Sequence, residues 1–397
     1  MAQQSVAVCI VVENLPVPMD RRVWQEARAL RDAGYRVSII CPKGRGFERP
    51  RETLEGIEIY RHPIWEASGP LGYVVEYSWA LAAEFFLALG IYARTRFRIL
   101  QACNPPDTIF LVGIFFKLFG VRFIFDHHDL NPELYEAKFQ RKDFFYRLVC
   151  WAERLTYRTA DVAIATNESY REIALTRGGI SPERSFVVRS CPDLNHLRRQ
   201  PPQPELKEGF AHLVVYIGVM GPQDGLDLLL EAIEHIVKGE GRTDTLFVLI
   251  GDGTAAPTLK AAARSKGLEQ YIRFPGRLDV ASPQVGAYFA TADLGVAPDP
   301  KIAMNDKSTM SKILEYMTHG LPVVLFDLTE GKRSAGDAGL YARPNDPIDF
   351  AGQILNLLDS EPLRRELGAR GRKRIEEELN WDMEKKALLA AYEAALK

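Results

Sequence analysis

The chain has 397 residues, too many for one ordinary core, so two domains are expected. Its 47% apolar and 26% charged residues are the balance of a globular protein, and a net charge of −2 gives no reason to expect a nucleic-acid partner. Five cysteines, scattered and without a C-x-x-C, exclude a disulfide framework and a zinc ribbon and point to a reducing compartment. The charge is uneven: residues 1–200 carry 27 Lys and Arg against 23 Asp and Glu (net +4), residues 201–397 carry 23 against 29 (net −6). Of the first 27 cations 23 are arginine, suited to gripping phosphate bidentately, although a solvated surface explains the excess equally well. No basic region precedes a long apolar core at the N-terminus, so no signal peptide is expected. The expectation is a cytoplasmic protein, associated with the inner face of the cytoplasmic membrane.

In chain order, "SVAVCIVV" is an apolar, β-branched run typical of a strand buried on both faces. "RRVWQEARALRDAG" has apolar residues at helical spacing and ends on Gly34, and "YRVSIICP" is the next strand. Strand, helix and strand in this span make a βαβ unit and hence a parallel sheet. "RILQACN" predicts a strand and "PPDTIFLVGIFFKLFG" a buried helix, whose Lys117 interrupts the longest apolar region and argues against a membrane span. Strand "VRFIFD", an aromatic and basic helix pair "DFFYRLVCWAERLTYRTA", strand "DVAIAT", helix "ESYREIALTRGG" and strand "SFVVRS" follow. Residues 196–211, rich in proline and without periodicity, read as a linker after a first domain of 1–195. The alternation then restarts over 212–380, from strand "HLVVYIG" to helix "DFAGQILNLLDS", and residues 381–397 form an amphipathic helix that packs back on the first domain. The fold class is α/β, two doubly wound parallel-sheet domains with the cleft between them as the default site.

Three stretches of the second domain suit an anionic ligand. Gly251-Asp252-Gly253 sits between a strand and a helix, but lacks the full dinucleotide fingerprint and its ribose-binding acid. Gly218, Gly221 and Gly225 crowd the first strand–helix junction, where a phosphate would meet helix N–H groups; a loop that merely needs positive φ explains them as well. "NDKSTMSKILEYMTHGLPVV" is the sharpest: Ser308, Thr309 and Ser311 open a helix carrying Lys312 and Glu315 on one face. Glu315 would accept hydrogen bonds from the hydroxyls of a ribose; an intrahelical Lys–Glu pair is the plainer alternative.

Together, "SKILEYM-HGLPVV", the "GDG" turn, "HDL-PE" after a mid-domain strand and the opening "D-R-WQEA-AL---G" resemble glycosyltransferase family 4, retaining enzymes of the two-Rossmann GT-B fold, over nearly the whole chain. The resemblance implies a glycosyltransferase that takes a nucleotide-sugar donor as co-substrate, with no metal and no resident cofactor. It implies that Glu315 holds the donor ribose, that Thr309, Met310 and Ser311 line the donor sugar and phosphates, and that Gly218, Gly221, Gly251, Asp252 and Gly253 line the nucleotide pocket. His128, with Asp129 beside it, matches the histidine near the reacting sugar. The chain departs from the family pattern at Lys307, where an acidic residue is usual, and at Val219 and Asp224, where Arg and Lys are usual. Lys312 and Arg277 are the replacement cations expected for the pyrophosphate.

The tetrad Asp126-His127-His128-Asp129 ends a strand. Neighbours at a strand end point to opposite faces, so the two histidines do not share a metal, and the expectation is His128 in the cleft with His127 packed away. Front-face transfer, in which the leaving phosphate helps deprotonate the acceptor, leaves positioning and charge stabilisation to carry most of the catalysis. Arg21, Arg22 and His127 are the acceptor-side candidates. Arg94, Arg96, Arg98, Arg141, Lys142 and Arg147, with Phe144, Phe145, Tyr146 and Trp151, suit a glycan or lipid-linked acceptor at a membrane surface. The competing readings are a catalytically silent nucleotide-sugar-binding subunit, motivated by Lys307, Val219 and Asp224, and a sugar-nucleotide epimerase, for which no acid/base carboxylate pair is evident.

Overall fold

Runs such as Ala7–Val11 and Thr245–Ile250 are buried at every position because helices cover both faces of their sheets. The protein is described here from a computed structural model, which covers residues 5–63, 70–195 and 200–397, with only the backbone of 70–77. Residues 196–199 of the predicted linker lie outside the described residues. The chain forms two compact units, residues 1–190 with 382–397, and residues 191–381.

The first unit holds eight strands: β1 Ala7–Val11, β2 Arg36–Pro42, β3 Arg51–Leu54, β4 Ile57–His62, β5 Ile99–Cys103, β6 Arg122–His127, β7 Val162–Ala165 and β8 Ser185–Val187. Their order is β3-β4-β2-β1-β5-β6-β7-β8, parallel throughout except for β3 against β4. Strand order reverses between β1 and β5, the switch point where such sheets open a crevice at their carboxyl ends. The β3–β4 hairpin, turned on Glu55-Gly56 with Gly56 at φ 82°, and the long Pro70–Thr95 helix are elements that the sequence reading passed over. The stretch "DFFYRLVCWAERLTYRTA", expected to hold a helix pair, is one unbroken helix, Phe144–Thr159, because Asp143 caps its first turn and no breaker follows; a separate helix, Asn131–Phe139, precedes it after β6.

The Trp381–Leu396 helix completes this unit's core. Tyr392 is fully buried, its hydroxyl donates to Gln101 Oε1 at 2.5 Å, and its ring meets Tyr35 edge-on at 5.7 Å.

The second unit holds β9 His212–Ile217, β10 Thr245–Ile250, β11 Ile272–Gly276, β12 Leu294–Ala297, β13 Val323–Phe326 and β14 Gly339–Ala342. All are parallel, in the order β11-β10-β9-β12-β13-β14, so this sheet reverses between β9 and β12. Apolar clusters fill both faces, one around Tyr216, Phe247, Phe326 and Phe350, the other around Phe289, Tyr316 and Met317.

Candidate functional site

In the first unit the register sets Cys103 opposite Asp126 and brings the ends of β1, β5 and β6 together at the switch point. Asp126 and His128 are two apart and share a face, and Nε2 of His128 lies 2.7 Å from Oδ2 of Asp126. Burial pulls the imidazole pKa down, but the charge and hydrogen bond of Asp126 outweigh it and leave it raised. The His128 and Asp129 amides both donate to Asn104 Oδ1, at 2.6 and 3.2 Å, which fixes the strand end. Asp129 itself is partly buried, accepts from Asn14 Nδ2 at 3.4 Å, and has its pKa raised, chiefly by burial.

Arg22 is not a surface cation. It is 8% exposed and its guanidinium donates to Asp126 at 2.8 and 3.3 Å and to the Val188 carbonyl at 2.6 Å, with Glu26 at 3.2 Å. Burial opposes the Asp126 charge, yet the Arg22 and His128 cations win and hold Asp126 well below the usual carboxylate range. Glu26 is pushed up, by burial first and then by the Asp126 charge. Gln101 Nε2 bridges the two acids, at 2.7 Å from Glu26 and 3.1 Å from Asp126. The acceptor role read for Arg22 is therefore corrected: its charge is met inside the unit. His127 is corrected likewise. It is fully buried on the opposite face, with Nδ1 2.7 Å from the Tyr157 hydroxyl, where no acceptor reaches it. Of that trio only Arg21 is exposed.

Cys103, Asp126 and His128 bring three potential ligand atoms within 4.8 Å of one another, the one such trio among the described residues. They do not suit a cation, because the bidentate Arg22 guanidinium already occupies the carboxylate and would repel it.

In the second unit the turns after β9, β10, β11 and β12 lie side by side along one sheet edge. Gly251 has φ 150°, and a Cβ there would stand 1.9 Å from the Gly218 carbonyl oxygen, so only glycine permits this approach. The glycine turns are laced together: Gly218 N–H donates to Ile250, Met220 to Asp252, Ala255 to Met220 and Gly251 to Gly276, all carbonyls within 3.1 Å. Gly253 N–H is taken by the Asp252 carboxylate at 2.8 Å and Gly221 N–H by that of Asp224 at 2.8 Å. The free amide cradle expected from the glycines is thus absent at Gly218, Gly221, Gly251 and Gly253; they serve close packing of two turns. Arg277 follows β11, exposed, next to the Gly276 carbonyl that Gly251 uses.

The Ser311–Thr318 helix begins at Met310, whose side chain makes no capping hydrogen bond, and the Ser308 hydroxyl before it donates to the Met304 carbonyl. Thr309, Met310 and Glu315 are half-buried, and Ser311 is exposed. Lys312 reaches under the Gly218 turn, its Nζ 2.7 and 2.8 Å from the oxygens of buried Asp299 and 5.1 Å from the Tyr216 ring. Asp299, just past β12, was not singled out in the sequence; it fixes where the ammonium sits. Gly225, at φ 69°, closes the same junction, with the position of a Cβ 2.0 Å from the Pro298 carbonyl oxygen. Gly225→Ala is expected to destabilise the second unit by about 2 kcal/mol, read as a lowered urea midpoint.

The profile described as "Glycosyl transferase 4-like domain" matches residues 19–191, and that described as "Glycosyl transferases group 1" matches residues 211–360. A D-inositol 3-phosphate glycosyltransferase of Thermomonospora curvata is 29% identical over 264 residues, 62% of this chain and 57% of that protein. The chain thus matches less than two thirds of that relative's own length. Among solved structures, sucrose-phosphate synthase from Thermosynechococcus elongatus superposes with a TM-score of 0.78 at 16% identity, covering 98% of this chain and 99% of the other. HepE of Anabaena, solved in complex with UDP and glucose, superposes with a TM-score of 0.73 at 15% identity, over 98% and 100% of the two chains.

Proposed function

Since the chain belongs to the group 1 glycosyltransferases of family 4, with the GT-B fold, we propose that it is a retaining glycosyltransferase. It moves a sugar from a nucleotide-sugar donor to a glycan or lipid-linked acceptor in surface polysaccharide biosynthesis. The observation that carries the donor half is the uncapped start of the Ser311–Thr318 helix. Its N–H groups and dipole favour an anion, and Glu315 stands one turn further in. Arg277, exposed after β11, is the cation that stands in for Val219 and Asp224, whereas the Lys312 ammonium, expected to share that role, is met by both oxygens of buried Asp299. A structure of HepE with UDP-glucose, on the same fold, supports a UDP-sugar as the first donor to try.

In the first unit, His128 is the hydrogen-bond donor to a hydroxyl of the transferred sugar. Asp126, itself held by Arg22, fixes the ring and raises its pKa. Asp126 rather than Asp129 is the carboxylate that orients His128. No protein nucleophile is needed in this scheme: the leaving phosphate takes the acceptor proton, and the site acts by position and charge.

Thermal shift with UDP, GDP, ADP and their sugar conjugates tests the donor site. A ligand about 100-fold above its Kd adds about 2.7 kcal/mol to the native state, so one nucleotide series raises the Tm of the wild type and fails to raise that of Glu315→Ala. A wild type that no nucleotide shifts overturns the reading of this helix as a donor site.

A further inference from the structure

Of the large apolar side chains left exposed among the described residues, most belong to one stretch of the first unit, residues 79–151, and just Val219 and Ile348 to the second. The helix Phe110–Lys117, expected to be buried, buries one face only. Leu111, Ile114 and Leu118 follow one another at helical spacing on its other face, at 51%, 46% and 78% exposure. The helix rests on the Pro70–Thr95 helix through Phe85 and Phe115, ring centroids 4.8 Å apart, and also packs against Phe144–Thr159. The latter exposes Phe144, Leu148 and Trp151 at the same spacing, with Arg147, Arg154 and Arg158 along one edge of that strip.

The charge on this face distinguishes it from an ordinary solvated one. In the second unit the Glu361–Glu377 helix pairs its exposed arginines with acids a turn away, as in Arg365–Glu361 and Arg370–Glu366. The Phe144–Thr159 helix has a single acid, Glu153, and that one is buried against Arg177. Among the described residues none of Arg147, Arg154 and Arg158 forms a salt bridge, so the exposed face is apolar and cationic with no carboxylate in it. An anionic bilayer meets both halves of that combination, acyl chains for the apolar side chains and headgroups for the guanidinium groups.

We infer that the exposed faces of Phe110–Lys117 and Phe144–Thr159 form a monotopic docking surface for an anionic lipid bilayer, with Leu118 and Trp151 entering the acyl boundary and Arg147, Arg154 and Arg158 lying at the headgroups. This deepens the reading of a lipid-linked acceptor by naming the face that the membrane meets. No helix among the described residues is long and apolar enough to cross a membrane. The docking is reversible and needs neither donor nor acceptor.

Co-sedimentation of the full chain with sucrose-loaded vesicles tests it, using phosphatidylcholine alone and phosphatidylcholine with about 30 mol % phosphatidylglycerol. The wild type binds the anionic vesicles about tenfold more tightly, and salt narrows the difference. Leu118→Ser with Trp151→Ser lowers binding to the anionic vesicles by about tenfold. Arg147→Glu with Arg154→Glu removes the preference for them while leaving the nucleotide thermal shift intact. A wild type that stays in the supernatant with both vesicles overturns the inference, as do variants that pellet like the wild type. So does a dimer that Leu118→Ser with Trp151→Ser dissociates while vesicles leave the protein unbound, since the face would then belong to a second copy. Because the readout is partition and not sugar transfer, a chain without transferase activity still decides it.

Discussion

Arg22→Met is expected to lower the stability of the first unit by about 3–5 kcal/mol, enough to shift a urea midpoint strongly or to unfold the unit outright. The substitution keeps the length of the side chain but strands Asp126, a fully buried carboxylate, beside Glu26 with no guanidinium to meet its charge. Asp126 is then left with His128 as its one cationic partner, against burial and the Glu26 charge. Arg22→Lys keeps the charge and loses the fork that grips both oxygens of Asp126, so a smaller loss is expected. Combining Arg22→Met with Asp126→Asn removes the stranded charge and recovers part of the loss, a coupling that a double-mutant cycle measures. The neighbouring, exposed Arg21→Ala changes stability by about 0.5 kcal/mol or less. An Arg22→Met protein with a midpoint like that of Arg21→Ala refutes the buried-pair account and returns Arg22 to the surface.

The second large effect is one of pH. His127 has its pKa pushed down to about 3, first by burial and then by the nearby Arg177 charge. Unfolded, a histidine titrates near 6.5. Below about pH 6.5 the unfolded chain takes up a proton that folded His127 refuses until about pH 3. This residue therefore subtracts about 1.4 kcal/mol of stability for each pH unit of acidification within that window. Glu153, beside it, works in the opposite sense. Burial raises its pKa to about 7, so its carboxyl is protonated in the fold before it is in the unfolded chain. Between about pH 6.5 and 4.5 the two nearly cancel, and below that window His127 acts alone.

His127→Gln isolates the histidine, since glutamine still offers the Tyr157 hydroxyl a partner. The variant is less stable than the wild type at pH 8, and the gap closes by about 1.4 kcal/mol per pH unit below about pH 6.5. Urea unfolding of both proteins at pH 8, 6 and 5 provides the check; a gap that stays constant means that His127 is protonated in the fold.

Much of the architecture was readable because parallel sheets covered on both faces leave unbroken apolar runs, and Ala7–Val11, Val162–Ala165 and Val323–Phe326 are such runs. The β3–β4 hairpin escaped because Arg51–Leu54 is a short edge strand alternating between exposed and half-buried residues, with no apolar face to detect. The same rule misled over Phe110–Lys117, where an apolar sequence is exposed along one side, since composition does not say which face has a neighbour. The split of His127 and His128 to opposite faces followed from strand alternation, and that rule also paired Asp126 with His128, a signal present but unused. Arg22 and Asp126 lie 104 residues apart, and no local pattern marks either as the other's partner. Nor does Lys312 announce Asp299, thirteen residues earlier on the far side of a helix start.

The hydrogen bond from Tyr392 to Gln101 joins residues 291 positions apart within one unit. During synthesis residues 1–190 leave the ribosome long before that hydroxyl exists, while the second unit, contiguous over 191–381, has all its strands. The first unit thus closes its core only once residues 382–397 are made, and the buried acids Glu26 and Asp126 wait until then for Tyr392 to reach Gln101. A nascent chain stalled before Tyr392 would present that polar cluster half-built, as a natural client for chaperones.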